Sequence, residues 1–264
     1  MGIKMPIRFF VVTFLWTWLI FTPLVLFRVG VIPQSNDFLL KATLPLIMLA
    51  AFGPAVGAFF SIYTIDGKDA LKKYLKSFFS LNFGWKAWLL IFLVLGLAQI
   101  IAWIIPEFFG ENRLPAFFPI YIFPLYLLFM IFLGGGQEEI GWRGYISPLL
   151  EKKYGLIIGS LIVGIIWAIW HIPLWFMLGT NQSFIPFGAF VLTAIGYSYL
   201  FSWIVALSKN KLFSGLVVHG AANAFITLFP HLIMETNNVQ VRFWIYCVLI
   251  LVIGIIIAIM RTIK

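Results

Sequence analysis

Apolar residues in this chain come in long unbroken runs, unlike the alternating or one-faced patterns of soluble strands and helices. Eight runs of about twenty residues, the length of helix that crosses the hydrocarbon core of a bilayer, lie near 7–29, 43–64, 86–105, 117–142, 156–178, 185–207, 212–230 and 241–260. Inside hydrocarbon each backbone N–H and C=O must find its partner within the protein, so every run is expected to be helical. The pattern predicts an all-α fold, a polytopic transmembrane helix bundle of about eight helices. No repeat or linker divides it, so 1–264 is expected to be a single membrane-embedded domain. The first run lacks a following small-residue cleavage site and is expected to be a retained helix.

Composition agrees: 62% of residues are hydrophobic and 10% charged, against roughly a quarter charged in ordinary globular domains. The placement of charge adds orientation. Taking strict alternation of the runs, one set of ends holds Lys4, Arg8, Lys68, Lys72, Lys73, Lys76, Lys86, Arg143, Lys152, Lys153, Lys209, Lys211, Arg261 and Lys264, which is 14 of the 18 basic residues. The other set holds Arg28, Lys41, Arg113 and Arg242. Positive ends stay in the cytoplasm, so both termini are expected there; the expected location is the cytoplasmic membrane of a prokaryote. The net charge of +9 is thus mainly topological, and loops this short offer no basic soluble surface for a nucleic acid. Between 61 and 84, Lys72, Lys73 and Lys76 interleave with Leu71, Tyr74, Leu75, Phe78 and Phe79, as in a short amphipathic helix whose partner is anionic membrane lipid. The single cysteine, Cys247, rules out an internal disulfide and a cysteine-based metal cluster.

Against this background the buried polar residues stand out. A carboxylate at mid-membrane costs on the order of 3 kcal/mol on the insertion scale, so the adjacent pair Glu138 and Glu139, in the run from Gly134 to Gly144, calls for a use. Glu139 and Arg143 are four apart and pair on one helical face, while Glu138, turned by about 100°, points elsewhere. Trp167 and His171 share a second face, followed by Pro173, which kinks a helix and frees a carbonyl. His219 and Asn223 share a third, with small residues between them. His231 reads as interfacial, and Trp167, Trp170 and Trp175 as packing that shapes a groove. Helix ends drawn from the runs put Glu138 about a turn from the inner surface, His219 about 10 Å in and His171 about 24 Å in. These levels disagree, which points to tilted helices or misplaced ends, and to a funnel opening toward the cytoplasm.

Several chemistries use such a set. Glu138, His171 and His219 could make a two-histidine, one-carboxylate zinc site, although the His-Glu-x-x-His helix is absent. A proton-coupled transporter also places acids and histidines at mid-membrane, but no inverted repeat is visible. A non-catalytic immunity or scaffold protein could keep them as an interhelical network, whereas a bis-histidine haem leaves Asn223 and the glutamates unexplained. The order Glu-Glu-x-x-x-Arg, aromatic-x-x-x-His, His-x-x-x-Asn, with Trp-Arg-Gly at 142–144, resembles the CPBP or Abi family of intramembrane glutamic endopeptidases, the type II CAAX prenyl protease and bacteriocin-processing family. The resemblance covers roughly Phe117 to Pro230. It implies a catalytic core there and a metal-free, cofactor-free endopeptidase acting on a peptide or lipidated protein substrate. Glu138 would be the base, His171 would hold the water, His219 and Asn223 would stabilise the oxyanion, and Glu139 and Arg143 would support. Family members commonly carry Phe where this chain has Trp167, a departure expected to alter pocket shape and leave the chemistry untouched.

Overall fold

All eight apolar runs are helical, but three of them break, at Ala51–Phe52, at Gly134–Gly135 and at His171. The computed structural model describes residues 6–33, 35–78, 80–177, 179–235 and 238–263; Lys4, Phe79 and Lys264, used above, lie outside them. Helix α1 covers Ile7–Arg28, α2 Asp37–Ala50 and α3 Gly53–Ser77. The Asn36 side chain caps α2 by accepting from the Leu39 amide at 3.1 Å. The run expected near 43–64 is the junction of α2 and α3, bent by 40°. Breaking a helix orphans carbonyls, and Thr17 of α1 donates to Ala50 O at 2.8 Å, satisfying one of them. Helix α3 turns again at Gly67, whose φ is 86°. Beyond this turn lies the segment that carries the exposed Lys72, Lys73 and Lys76.

The remaining helices are α4 (Trp85–Ile104), α5 (Phe123–Phe132), a single turn α6 (Glu139–Gly141), α7 (Ser147–Tyr154), α8 (Leu156–Trp170), α9 (Phe187–Leu207), α10 (Phe213–Leu228) and α11 (Val241–Thr262). No strand occurs among the described residues. Among the described residues six stretches are long and apolar enough to cross a membrane, and the bent α2–α3 pair makes up to seven. The chain is an integral membrane protein. The remaining run, near 212–230, is α10, with 16 residues, about 24 Å of helix, short of a hydrocarbon core of about 30 Å. It is instead enclosed: its buried residues include Gly215 through Ala222 without interruption, and it packs against α4, α5 and α9. A helix sheathed by others can carry polar side chains without showing them to lipid, and α10 carries His219 and Asn223.

The disagreement in depth resolves in the hairpin of α7 and α8. Arg143 does not end the fourth span; the stretch from Ile120 to Tyr154 runs 35 residues. From Glu138 the chain advances 16 residues to Tyr154, turns at Gly155, and returns 15 residues from Leu156 to His171. At ~1.5 Å per residue both legs are close to 23 Å, so Glu138 and His171 come level.

Candidate active site

The break between α5 and α6 builds the site. Gly135 has φ +123°, and the point its Cβ would occupy lies 2.5 Å from Asn223 Nδ2 and 2.8 Å from His219 Nε2. Only a residue without a side chain leaves that space open. Gln137 Oε1 accepts from Gly135 N at 2.9 Å and closes the break. Helical geometry resumes as a 3-10 turn over Gly136–Glu138, passes through α6, and widens into a π turn over Trp142–Ile146. Such local widening is frequent at functional sites, because it re-aims side chains.

Glu138 and Glu139 sit at this restart and take different partners, as their rotation predicts. Glu138, 4% exposed, accepts at Oε2 from Trp167 Nε1 at 2.8 Å. Glu139 is fully buried; its Oε1 lies 2.8 Å from His219 Nδ1 and its Oε2 lies 3.3 Å from Arg143 Nε. The expected Glu139–Arg143 pair therefore forms, with His219 added to it. The Arg143 guanidinium is buried and stacks 5.8 Å over Trp167 and 5.4 Å over Phe201, where ring faces offer a cation partial compensation for lost water.

His171, the C-cap of α8, has Nδ1 2.8 Å from Trp167 O. A carbonyl only accepts, so Nδ1 carries the proton, and in the neutral ring Nε2 presents a lone pair. Pro173 follows in a 3-10 turn, Ile172–Phe176, that stops the helix at this point. Asn223 spends one Nδ2 hydrogen on Gly134 O at 2.7 Å and keeps the other.

Glu138, His171, His219 and Asn223 all line one cavity of about 500 Å³, with Trp167 and Gly135. All four expected reacting side chains thus meet, and Glu139 and Arg143 stand directly behind them. Phe21 from the later half of α1, and Phe243 and Tyr246 from the first turns of α11, also line the cavity, so it extends toward the ends of these helices remote from the termini. Among the described residues no three His, Cys, Asp or Glu side chains are grouped to hold a metal ion.

Two features escaped the sequence reading. Trp167 does more than pack: its indole N–H is a donor to Glu138, which a Phe at that position would not supply, so this departure changes a hydrogen bond to Glu138 as well as pocket shape. The polar edge of a buried Trp was the available signal. His231 is no interfacial residue; it is 2% exposed and lines the same cavity.

Comparison with known proteins selects the same region. Residues 119–225 match the family described as type II CAAX prenyl endopeptidase Rce1-like. A stretch of 104 residues is 31% identical to CAAX prenyl protease 2 of Methanococcus maripaludis, covering 37% of this chain and 38% of that protein. The chain thus spans, in this match, little more than a third of the relative. The family-matched segment holds Glu138, Glu139, Arg143, Trp167, His171, His219 and Asn223. Through this segment the chain is similar to the CPBP/CAAX protease family.

Proposed function

We propose that the chain is an intramembrane endopeptidase that hydrolyses a peptide bond in a hydrophobic, lipidated or membrane-associated substrate, using water activated by Glu138. The observation that carries this is the convergence of a base, a water acceptor and two nitrogens on one cavity. Glu138 Oε2 is engaged by Trp167, which leaves Oε1 for a water. His171 Nε2, a lone pair in the neutral ring, accepts that water's second hydrogen. Glu138 takes the first proton as the water oxygen bonds to the scissile carbonyl carbon, and the carbonyl becomes an oxyanion. The protonated Glu138 then returns the proton to the amine nitrogen as the C–N bond breaks.

The oxyanion needs donors that converge. Asn223 Nδ2 and His219 Nε2 lie within 3 Å of a single point beside Gly135. With Nδ1–H held by the Glu139 carboxylate, an N–H at Nε2 belongs to the imidazolium form, for which Glu139 is the counter-ion. Glu139, Arg143, His219 and Glu138 then sum to zero charge, which favours the set in a medium that penalises net charge. The reaction as written uses no cofactor.

Orientation joins this reading. The asymmetry of basic residues favours cytoplasmic termini, and the cavity reaches toward the opposite ends of α1 and α11. A funnel open to the cytoplasm through that end requires the termini outside, so the two expectations cannot both describe this opening. Cysteines introduced near Leu232 and near Lys211 report which end faces the cytoplasm through labelling by a polar thiol reagent added to intact cells. The activity itself is tested by incubating the purified protein with hydrophobic peptides, lipidated and bare, and identifying products by mass. Cleavage that persists in a strong chelator is expected; intact peptides throughout the panel would overturn the proposal.

A further inference from the structure

The cavity has a second polar feature that the proposed chemistry does not use. His231 stands in the segment between α10 and α11, stacked on Tyr246 with centroids 4.7 Å apart and packed beside Phe243. Its Nδ1 meets Gln99 Nε2. That amide nitrogen also donates to Phe229 O at 2.7 Å, which identifies it as the nitrogen, because a carbonyl partner requires a donor. Each of its two hydrogens thus has an acceptor, and His231 Nδ1 must be the second. In the neutral ring the proton then resides on Nε2. Among the described residues no hydrogen bond reaches Nε2, while the side chain lines the cavity.

We propose that His231 is a substrate-binding residue whose Nε2–H donates to a main-chain carbonyl of an apolar peptide lying in the cavity. The assignment rests on the peptide reading of this cavity. Burial pushes the imidazole down to about 3, so the ring is neutral across the working range and suits a neutral acceptor. A carboxylate is a poorer match, because the nearest guanidinium along α11, Arg242, is committed to Glu111 at 3.2 Å and Asn112 O at 2.8 Å. The geometry also sets a reach. From Trp167, which holds Glu138, the cavity wall steps to Tyr197 at 6.2 Å, to Tyr246 at 6.3 Å and to His231 at 4.7 Å. Extended peptide advances up to about 3.5 Å per residue, so a fully extended segment of about five residues covers the path from the scissile bond to the carbonyl that His231 receives.

The test uses the full chain in detergent with Glu138→Gln, which holds peptide without turning it over. Tryptophan fluorescence reads binding, since Trp167 and Trp170 line the cavity. Two probes are compared: acetyl-tetraleucine amide, which has carbonyls, and hexadecane, which has none. Replacing His231→Phe in this background should weaken the peptide about fivefold to tenfold and leave hexadecane within about twofold. A second variant, Gln99→Leu, keeps the imidazole but removes the donor that sets its tautomer, and should also weaken the peptide. Equal losses for both probes would make His231 a packing residue and overturn the assignment. Unchanged peptide affinity, or no peptide binding in either background, would do so too. If peptide binds through His231 but wild-type protein never cleaves, the hydrolase reading falls and the binding site stands. If cleavage occurs with KM and kcat unaltered by His231→Phe, the reverse holds.

Discussion

Replacing Gly135→Ala probes the convergence of the two oxyanion donors without deleting either. The added methyl would lie 2.5 Å from Asn223 Nδ2 and 2.8 Å from His219 Nε2, both far inside van der Waals contact, so both side chains must move. Neither moves freely. Asn223 is tied to Gly134 O at 2.7 Å and His219 to Glu139 at 2.8 Å, and loosening such bonds costs about 1–2 kcal/mol each. The φ of +123° adds about 1–2 kcal/mol for a residue with a Cβ. The fold therefore loses about 3–6 kcal/mol if both bonds weaken. Loss of one aligned donor raises a barrier of this type by about 3 kcal/mol, so kcat should fall at least 10²-fold. The assay pairs kcat on an apolar peptide with the thermal midpoint, and Gly188→Ala, at an open position where a Cβ meets nothing within 4 Å, is the control. A Gly135→Ala protein that keeps near wild-type kcat would refute the oxyanion assignment, because it would show that the space beside these nitrogens is not where the substrate oxygen sits.

Other substitutions separate support from chemistry. Glu139→Gln leaves the buried Arg143 without its carboxylate and should destabilise the protein by about 3–5 kcal/mol, seen as a lower thermal midpoint. Trp167→Phe removes the donor to Glu138 and should lower kcat about tenfold with little change in KM; an unaltered kcat would return Trp167 to a packing role. Tyr74→Phe deletes the hydroxyl that bonds Ile140 O beside the glutamate pair, and should cost about 1 kcal/mol of stability. His231 supplies a pH dependence. The folded ring protonates at about 3 and the unfolded ring near 6.5, so its contribution is complete above about 6.5 and is lost as pH falls toward 3. By pH 5 the loss is about 2 kcal/mol. The fall in thermal midpoint between pH 7 and pH 5 should be smaller in His231→Phe than in wild type.

The helices were legible in the sequence because hydrocarbon imposes one rule on every span: enough consecutive apolar residues and internal backbone bonding. The same rule hides the breaks. Ala51–Phe52 interrupts an apolar run without any polar signal, since the hydroxyl that satisfies Ala50 O comes from Thr17, 33 residues away. The glutamate pair, the two histidines and Asn223 were legible because each is costly in lipid and each sits at helical spacing from a partner. Their common level was not, because it depends on the matched legs of the α7–α8 hairpin, and Arg143 resembled the end of a span while being buried inside one. His231 was misread for a similar reason: its partners Gln99 and Tyr246 come from two other helices, and nothing within its own neighbourhood announces them. Trp167 carried its signal in a single N–H that an apolar reading ignores.

Glu138 is the residue on which the hydrolytic proposal turns. Glu138→Gln keeps the side chain's size and can still accept from Trp167 through its amide oxygen, but it cannot take a proton from water. Kinetics of wild type and Glu138→Gln on the same hydrophobic peptides, at matched folding judged by thermal midpoint, should show kcat reduced by at least 10³-fold with KM within a few-fold, in line with the loss of a general base. Turnover by the glutamine variant equal to wild type would contradict the assignment outright.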